Sequence, residues 1–449
     1  MRKIFGTDGV RGVANREPMT VDMALRLGQA AALLFSHRNR HGRFLIGKDT
    51  RLSCYMFENA IAAGIMSMGA DVFFVGPLPT PAIAHLTCSM RADAGIVISA
   101  SHNPFEHNGI KFFAADGTKL PDEVEAHIEE LLDSEELRDG LAQGERVGRS
   151  RRIDDAAGRY ITFCKNTFPG NLTLDDLRIV VDCANGAAYK VAPLIFGELG
   201  AEVIPLGVNP NGININGRVG ALYPESAAEA VHTYRADMGI AFDGDADRVI
   251  ILDEKGQVVD GDAILAMIAR EWLIQERLSK RTLVVTVMSN LGLDKALRDA
   301  GGIVVRTQVG DRYVFQTMQE GGYNLGGEQS GHIILRDYTT TGDGIIAALQ
   351  VLSILRRQER PMSELAKVFE PFPQVLLNVD VEKKTPLADL PHLQETITRI
   401  ERELGASGRV LVRYSGTESK VRILVESENE KHARRYAEEI AAACQTYCR

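Results

Sequence analysis

The feature that most constrains this chain is one layout that occurs three times. RFLIGKDTRLSCYMFENAIAAGIMSMGADVFFVG begins at Arg43, LRIVVDCANGAAYKVAPLIFGELGAEVIPLG at Leu177 and RTLVVTVMSNLGLDKALRDAGGIVVRTQVG at Arg281. Each opens on an apolar, β-branched run and passes through a polar loop into an amphipathic stretch of helical length. Each then breaks at Gly-Ala or Gly-Gly, turns apolar again and closes on Gly. Apolar runs without alternation fit strands buried on both faces, and a helix between two of them makes the pair parallel. The layout therefore predicts strand–helix–strand units at domain-sized spacing, far longer than a solenoid period. A chain of 449 residues also exceeds what one hydrophobic core serves.

Domain boundaries are expected at 1–152, 153–255 and 256–369, with the mixed acidic, basic and Gly stretch from Leu137 to Arg152 as a surface connection. Beyond Glu370 the pattern changes. VLLNVDVEKK, GRVLVRYSGTESKVRILVES and an amphipathic helix over Asn429–Cys444 lack the crossover and predict a smaller α+β domain, 370–449, after Pro371 and Pro373. The expected fold class is α/β: three similar domains with mixed, largely parallel sheets plus the α+β domain.

A net charge of −9 argues against a nucleic-acid partner, which a basic balance would attract. The 6 cysteines show no CxxC spacing and read as free thiols of a reducing compartment. MRKIFGTDGVRG starts basic, but Gly6, Asp8 and Gly9 interrupt any apolar core of a leader. No apolar run approaches the ~20 residues of a membrane span. A cytoplasmic enzyme is expected.

In MGIAFDGDADRVIILDEKG, Asp243, Asp245 and Asp247 alternate directly after an apolar run. Alternate residues of an extended segment point the same way, so the three carboxylates are expected to converge. Like charges held together raise one another's pKa unless a cation sits among them, and hard oxygen ligands select Mg²⁺ or Ca²⁺. An EF-hand would place these acids at its first three ligand positions and Glu254 at its twelfth. Its sixth position, however, needs Gly and holds Arg248, and the flanks read as strands. Three carboxylates leave coordination positions open for a phosphoryl oxygen, as at a catalytic Mg²⁺ site.

Three further loops carry chemistry. In IVISASHNPFEHNGIKF an apolar run drops into Ser99, Ser101, His102 and Asn103, with Lys111 soon after. The Gly-x-Ser-x-Gly elbow of a hydrolase is absent, so with a metal loop elsewhere the serine points to phosphoryl transfer. His102 and Asn103 would hold the phosphate, and Lys111, desolvated, would have a lowered pKa and act as acid and base. The alternative is a serine that merely caps a turn. In LVRYSGTESKVRILV, Arg413, Ser415, Thr417 and Arg422 around Gly416 make a concave anion site. In NLGGEQSGHIIL, Glu328, Ser330 and His332 offer hydrogen bonds to a sugar, and Arg312 of the preceding GDRYV adds a cation.

FGTDGVRG, SASHNP, NGIKF, DGDADR, GGEQSGH and RYSGTES, in this order over essentially the whole chain, resemble the α-D-phosphohexomutases. The resemblance implies that Ser101 is the phosphoserine and a metal ligand beside Asp243, Asp245 and Asp247. It implies Arg11 and Lys111 as acid/base groups and His102 beside the phosphoserine. Arg248, Glu328, Ser330, His332, Arg413, Ser415, Gly416, Thr417 and Arg422 are then substrate-binding, with Mg²⁺ as cofactor. Four domains around a central cleft are implied. So is interconversion of glucosamine 6-phosphate and glucosamine 1-phosphate through a bisphosphate, upstream of UDP-N-acetylglucosamine and cell-wall precursors. The alternative within the family is a phosphomannomutase/phosphoglucomutase. The expected partner is a small hexosamine phosphate, with no nucleic acid or membrane, in a homodimer. Two departures stand out: Ala246 where relatives commonly have Gly, and Ser419 where they commonly have Pro.

Overall fold

The computed structural model describes residues 4–6, 8–35, 41–381, 385–414 and 420–447. They divide into two compact units, the first over Met1–Met288 and Gly301–Val368, the second over Ser289–Ala300 and Phe369–Arg449.

The first unit holds three sheets. The largest runs in the order Phe5–Gly6, Gly9–Val13, His107–Ala114, Ala94–Ile98, Arg43–Lys48, Asp71–Pro77 and Ser150–Arg152. Its centre is parallel, Arg43–Lys48 pairing with both Ala94–Ile98 and Asp71–Pro77, and its N-terminal half is antiparallel. The second sheet runs Val258–Val259, Val249–Leu252, Met238–Phe242, Arg178–Asp182, Glu202–Leu206, and the third Ile303–Thr307, Thr282–Thr286, Leu325–Gly327, Ile333–Leu335. The three repeats of the sequence are the parallel pairs Arg43–Lys48/Asp71–Pro77, Arg178–Asp182/Glu202–Leu206 and Thr282–Thr286/Ile303–Thr307. In chain order each pair is separated by a helix: Leu52–Ser67, Val191–Glu198 and Leu291–Asp299.

The apolar runs form strands for the expected reason. Ala94–Ile98 and Met238–Phe242 are buried at every position, which only residues that are apolar on both faces tolerate. Both strands turn back antiparallel after a loop, onto His107–Ala114 and Val249–Leu252 respectively. Each sheet thus presents a loop between two buried strands, and those two loops carry Ser101 and the aspartates. The connection expected over Leu137–Arg152 is only partly a connection, since Ser150–Arg152 joins the first sheet as an edge strand beside Asp71–Pro77.

The second unit is an antiparallel sheet, Gln374–Asp380, Lys420–Ser427, Gly408–Tyr414, with helices Pro391–Leu404 and Glu430–Tyr447. Its core gathers Val379, Ile400, Val421, Ile423, Ala437 and Ile440. Asn290 caps Leu291–Asp299 by accepting from Gly292 N (2.9 Å), and it brackets Phe372, accepting from its amide and donating to its carbonyl.

Candidate active site

Asp243, Asp245 and Asp247 are buried, 1%, 1% and 4% exposed, unlike the acids of a solvated surface loop. One carboxylate oxygen from each lies within 4.8 Å of the others. They converge through a turn rather than an extended segment, because Ala246 adopts a left-handed φ of 55°. A Cβ in that region is strained by about 1–2 kcal/mol, which accounts for the appeal of Gly at this position.

The charge balance calls for a cation. Burial pushes Asp243 well above the usual carboxylate range, and Asp247 and Asp245 push it further. Burial would also raise Asp247, but Lys111, His332 and Arg248 outweigh it and hold that carboxyl well down. Asp245 Oδ1 and Asp247 Oδ1 are buried with no hydrogen-bond partner among the described residues. Buried carboxylate oxygens left orphaned are costly, and these are of the type a hard divalent ion takes. The residues fit a metal.

Ser101, 2% exposed, donates its hydroxyl to Asp243 Oδ2 at 2.6 Å. It caps no helix and sits in a turn at φ 51°, in the left-handed region where a non-Gly residue marks stored strain. Ser99 supports it, accepting from Ser101 N (2.9 Å) and donating to Asp49 Oδ2 (2.6 Å). His102 Nδ1 lies 3.3 Å from Ser101 Oγ, and burial, with Arg248 and Arg11, pushes its pKa down to about 4. The ring is neutral at pH 7.

Lys111 corrects an expectation. Its Nζ lies 3.0 Å from Asp245 Oδ2, 3.0 Å from Asp8 Oδ2 and 3.7 Å from Asp247 Oδ2. Burial would lower its pKa, but Asp245, Asp8 and Asp247 outweigh that and raise it, so the group is an ammonium rather than a free amine. Spacing along the chain gave no sign of Asp8, which also pairs with Arg11 and with Lys119. Lys119 in turn pairs with Asp311, giving a chain of alternating charges from the first sheet to the third.

The GGEQSGH loop is joined to the metal loop through the backbone. Arg248 bridges His332, and Val249 N donates to Gly331 O at 3.1 Å. Gly331 is required there, since at φ +90° a Cβ would stand 2.1 Å from Val249 O. His332 is buried, its Nδ1 3.7 Å from Asp247 and its Nε2 3.6 Å from Asp311. Burial would lower its pKa, but Asp247 and Asp311 raise it. The Gly342 amide donating to Nε2 at 3.2 Å favours the neutral ring instead; the two carboxylates carry full charges, and the raised direction stands. His332 packs against the metal loop and, with Lys119, Asp311 and Arg312, also lines a cavity. Glu328 accepts from Gly310 N (3.1 Å) and faces the Ser330 hydroxyl (3.4 Å). Arg312 is taken up by Asp122, Glu125 and the carbonyl of Leu120.

In the second unit Arg413 and Arg422 stand directly opposite on adjacent strands, hence on one face. Burial and Arg422 push Arg413 down. Ser415, Gly416 and Thr417 lie outside the described residues. Sequence reasoning missed Asp8, Asp49, Arg51, Lys119, Asn216, Asp311 and Thr80, whose hydroxyl donates to Asp245 Oδ2 at 2.7 Å. Of these, Asp49 and Arg51 had a local signal in the polar KDTR at the mouth of a buried strand, and Asp8 and Asp311 lay within FGTDGVRG and GDRYV.

A serine hydroxyl held on a three-carboxylate site, on paired sheet-end loops, fits phosphoryl transfer. Four domains of the phosphoglucomutase/phosphomannomutase family match this chain: alpha/beta/alpha domain I at residues 2–139, domain II at 158–256, domain III at 260–372 and the C-terminal domain at 376–443. The chain belongs to that family of isomerising phosphotransferases. Two relatives that match over nearly their full length are phosphoglucosamine mutases. The protein from Anaeromyxobacter sp. (strain Fw109-5) is 59% identical over 444 residues, 98% of this chain and 95% of that one. The protein from Pelobacter propionicus is 59% identical over 442 residues, 98% and 97% of the two chains. Among solved structures, a family member from Burkholderia thailandensis superimposes with a TM-score of 0.80 at 24% identity, over 99% of this chain and 97% of that one. The N-acetylphosphoglucosamine mutase of Aspergillus fumigatus, in complex with GlcNAc-6P and magnesium, gives 0.67 at 18% identity, over 100% and 96%. These two carry the fold.

Proposed function

We propose that this chain interconverts glucosamine 6-phosphate and glucosamine 1-phosphate with Ser101 as the phosphoryl carrier and Mg²⁺ on Asp243, Asp245 and Asp247. The observation that carries the proposal is the 2.6 Å contact of Ser101 Oγ with Asp243 inside that carboxylate group. The relatives' activity supports the substrate. When bound, the metal neutralises charge on the transferring phosphoryl group.

The free hydroxyl of the sugar phosphate attacks the phosphorus on Ser101, and the Oγ–P bond breaks as the new O–P bond forms. Lys111 gives one ammonium proton to Ser101 Oγ as the Oγ–P bond breaks, and the amine so formed takes the proton of the attacking hydroxyl, which restores the ammonium. Arg11 and the neutral His102 orient the phosphoryl oxygens. The resulting bisphosphate re-enters with its ends exchanged and returns the other phosphoryl group to Ser101. Arg248, Glu328 and Ser330 bind the sugar, while Arg413 and Arg422, with the loop Ser415, Gly416 and Thr417, hold the phosphate not being transferred. His332 supports the site from beneath, against Asp247.

The proposed domains are 1–152, 153–255, 256–369 and 370–449. A homodimer in the cytoplasm is the proposed state; the free thiols of Cys54, Cys88, Cys164 and Cys183 fit a reducing compartment. No helix among the described residues is long and apolar enough to cross a membrane. Parallel coupled assays with glucosamine 1-phosphate and glucose 1-phosphate test the reading. The amino sugar is expected to turn over faster, and Ser101→Ala to lose at least about 10³-fold in kcat. Normal turnover by Ser101→Ala would falsify the carrier role.

A further inference from the structure

Ser101 keeps its left-handed backbone because two side chains from distant segments grip the same two carbonyls. Arg51 Nη2 donates to Ser101 O (3.1 Å) and Asn103 O (2.5 Å). Asn216 Nδ2 donates to the same pair, at 2.9 and 3.1 Å. The first comes from the loop after Arg43–Lys48 in the first sheet, the second from the loop beyond Glu202–Leu206 in the second. Both donors are themselves fixed. Arg51 is fully buried and pairs with Asp49, the residue that accepts the Ser99 hydroxyl. Asn216, also left-handed at φ 57°, donates its amide to Ala184 O at 2.9 Å.

We infer that Arg51 and Asn216 are positioning residues for phosphoryl transfer: by fastening the Ser101 and Asn103 carbonyls they aim Ser101 Oγ at the carboxylates. The inference rests on Ser101 being the phosphoryl carrier. Holding these two carbonyls fixes the Ser101–His102 and Asn103–Pro104 peptide planes, and so both ends of the turn from which the serine side chain leaves. Among the described residues, neither donor side chain hydrogen-bonds to Arg248, Glu328 or Ser330. The clamp acts on the carrier and not on the substrate, so its loss falls on kcat. An amide from the second sheet holding a loop of the first also ties the carrier to the loop that bears the metal ligands, which belongs to that same second sheet.

Purified full-length Asn216→Ala, Asn216→Asp, Arg51→Met and Arg51→Lys are compared with Ser101→Ala in the glucosamine 1-phosphate assay, with melting curves. Asn216→Asp keeps the size of the side chain but has no N–H to donate, so it reports on the clamp even where Asn216→Ala fails to fold. Both Asn216 variants are expected to lose ~10–100-fold in kcat, the cost of misplacing a reacting group by about 1 Å, with KM within about threefold. Arg51→Lys, which keeps a charged donor, is expected to recover part of the kcat that Arg51→Met loses. A folded Asn216 variant with kcat within threefold of the parent overturns the inference, as does one that raises KM at unchanged kcat. Full turnover by Ser101→Ala sinks the carrier reading itself, whereas an inactive Ser101→Ala beside a normal Asn216→Asp sinks the clamp alone.

Discussion

Gly244 stands between two of the aspartates, where the turn bearing Ser101 and the metal loop meet. A Cβ built on it would lie 2.6 Å from Ser101 O, 2.8 Å from Asn216 Nδ2 and 2.9 Å from Ile215 Cδ1. Ordinary van der Waals contact begins near 3.4 Å, so Gly244→Ala requires the two loops to part by roughly 0.8 Å. The nearest obstacle is a backbone carbonyl already held by Arg51 and Asn216, so no flexible side chain can absorb the shift. A displacement of about 1 Å at a reacting group costs on the order of 10²-fold in rate, or about 2.7 kcal/mol of transition-state stabilisation. The expected result is therefore a folded protein whose kcat for glucosamine 1-phosphate falls roughly 50- to 100-fold while KM stays within about threefold. Overpacking adds about 1–3 kcal/mol of lost stability, visible as a lower melting temperature. If Gly244→Ala folds with kcat within a factor of three of the parent, the distance between Ser101 and the carboxylates does not control the rate.

Three other outcomes follow from the same coordinates. Chelation with EDTA is expected to abolish turnover and lower the melting temperature, both restored by Mg²⁺; turnover that persists after exhaustive chelation would refute a metal at the aspartates. Asp343, fully buried where it caps the helix Gly344–Gln358 and accepts the Tyr160 hydroxyl (2.8 Å), is raised by burial to about 6. The folded state binds its proton more tightly than the unfolded state, so stability is full below pH 4 and is lost as pH rises through about 6. Asp343→Asn should then be more stable at pH 8 by up to about 3 kcal/mol and no different at pH 4, a contrast that denaturant titrations at the two pH values measure. Lys119→Met leaves Asp8 and Asp311 facing each other without their shared cation, at a cost of about 3–5 kcal/mol. A melting temperature unchanged by that substitution would show the ionic chain contributes nothing.

Much of the site was legible because its chemistry is local. Ser101 and Asp243 each follow a buried apolar strand, and such a strand can end in polar residues only where it leaves the core. The convergence of the three aspartates was correct in outcome and wrong in cause, because a turn at Ala246, not extended backbone, brings them together. Lys111 was misjudged for a similar reason. Its neighbours Asp8, Asp245 and Asp247 are remote or on another sheet, and no spacing rule reveals that an amine will be surrounded by carboxylates. Arg312 and His332, read as facing a sugar, line one cavity and also have acidic partners, at Asp122, Glu125, Asp247 and Asp311, that spacing did not reveal.

The kind of secondary structure, the threefold repeat and the candidates for carrier and metal ligands could be read from the sequence by itself, since periodicity and residue type act over a few neighbours. Charge state and aim were decided only by the tertiary structure. Whether Lys111 is an ammonium, whether Asp243 keeps a proton and where Ser101 Oγ points depend on groups more than a hundred residues apart in some cases, and Coulomb forces and hydrogen bonds act through space rather than along the chain.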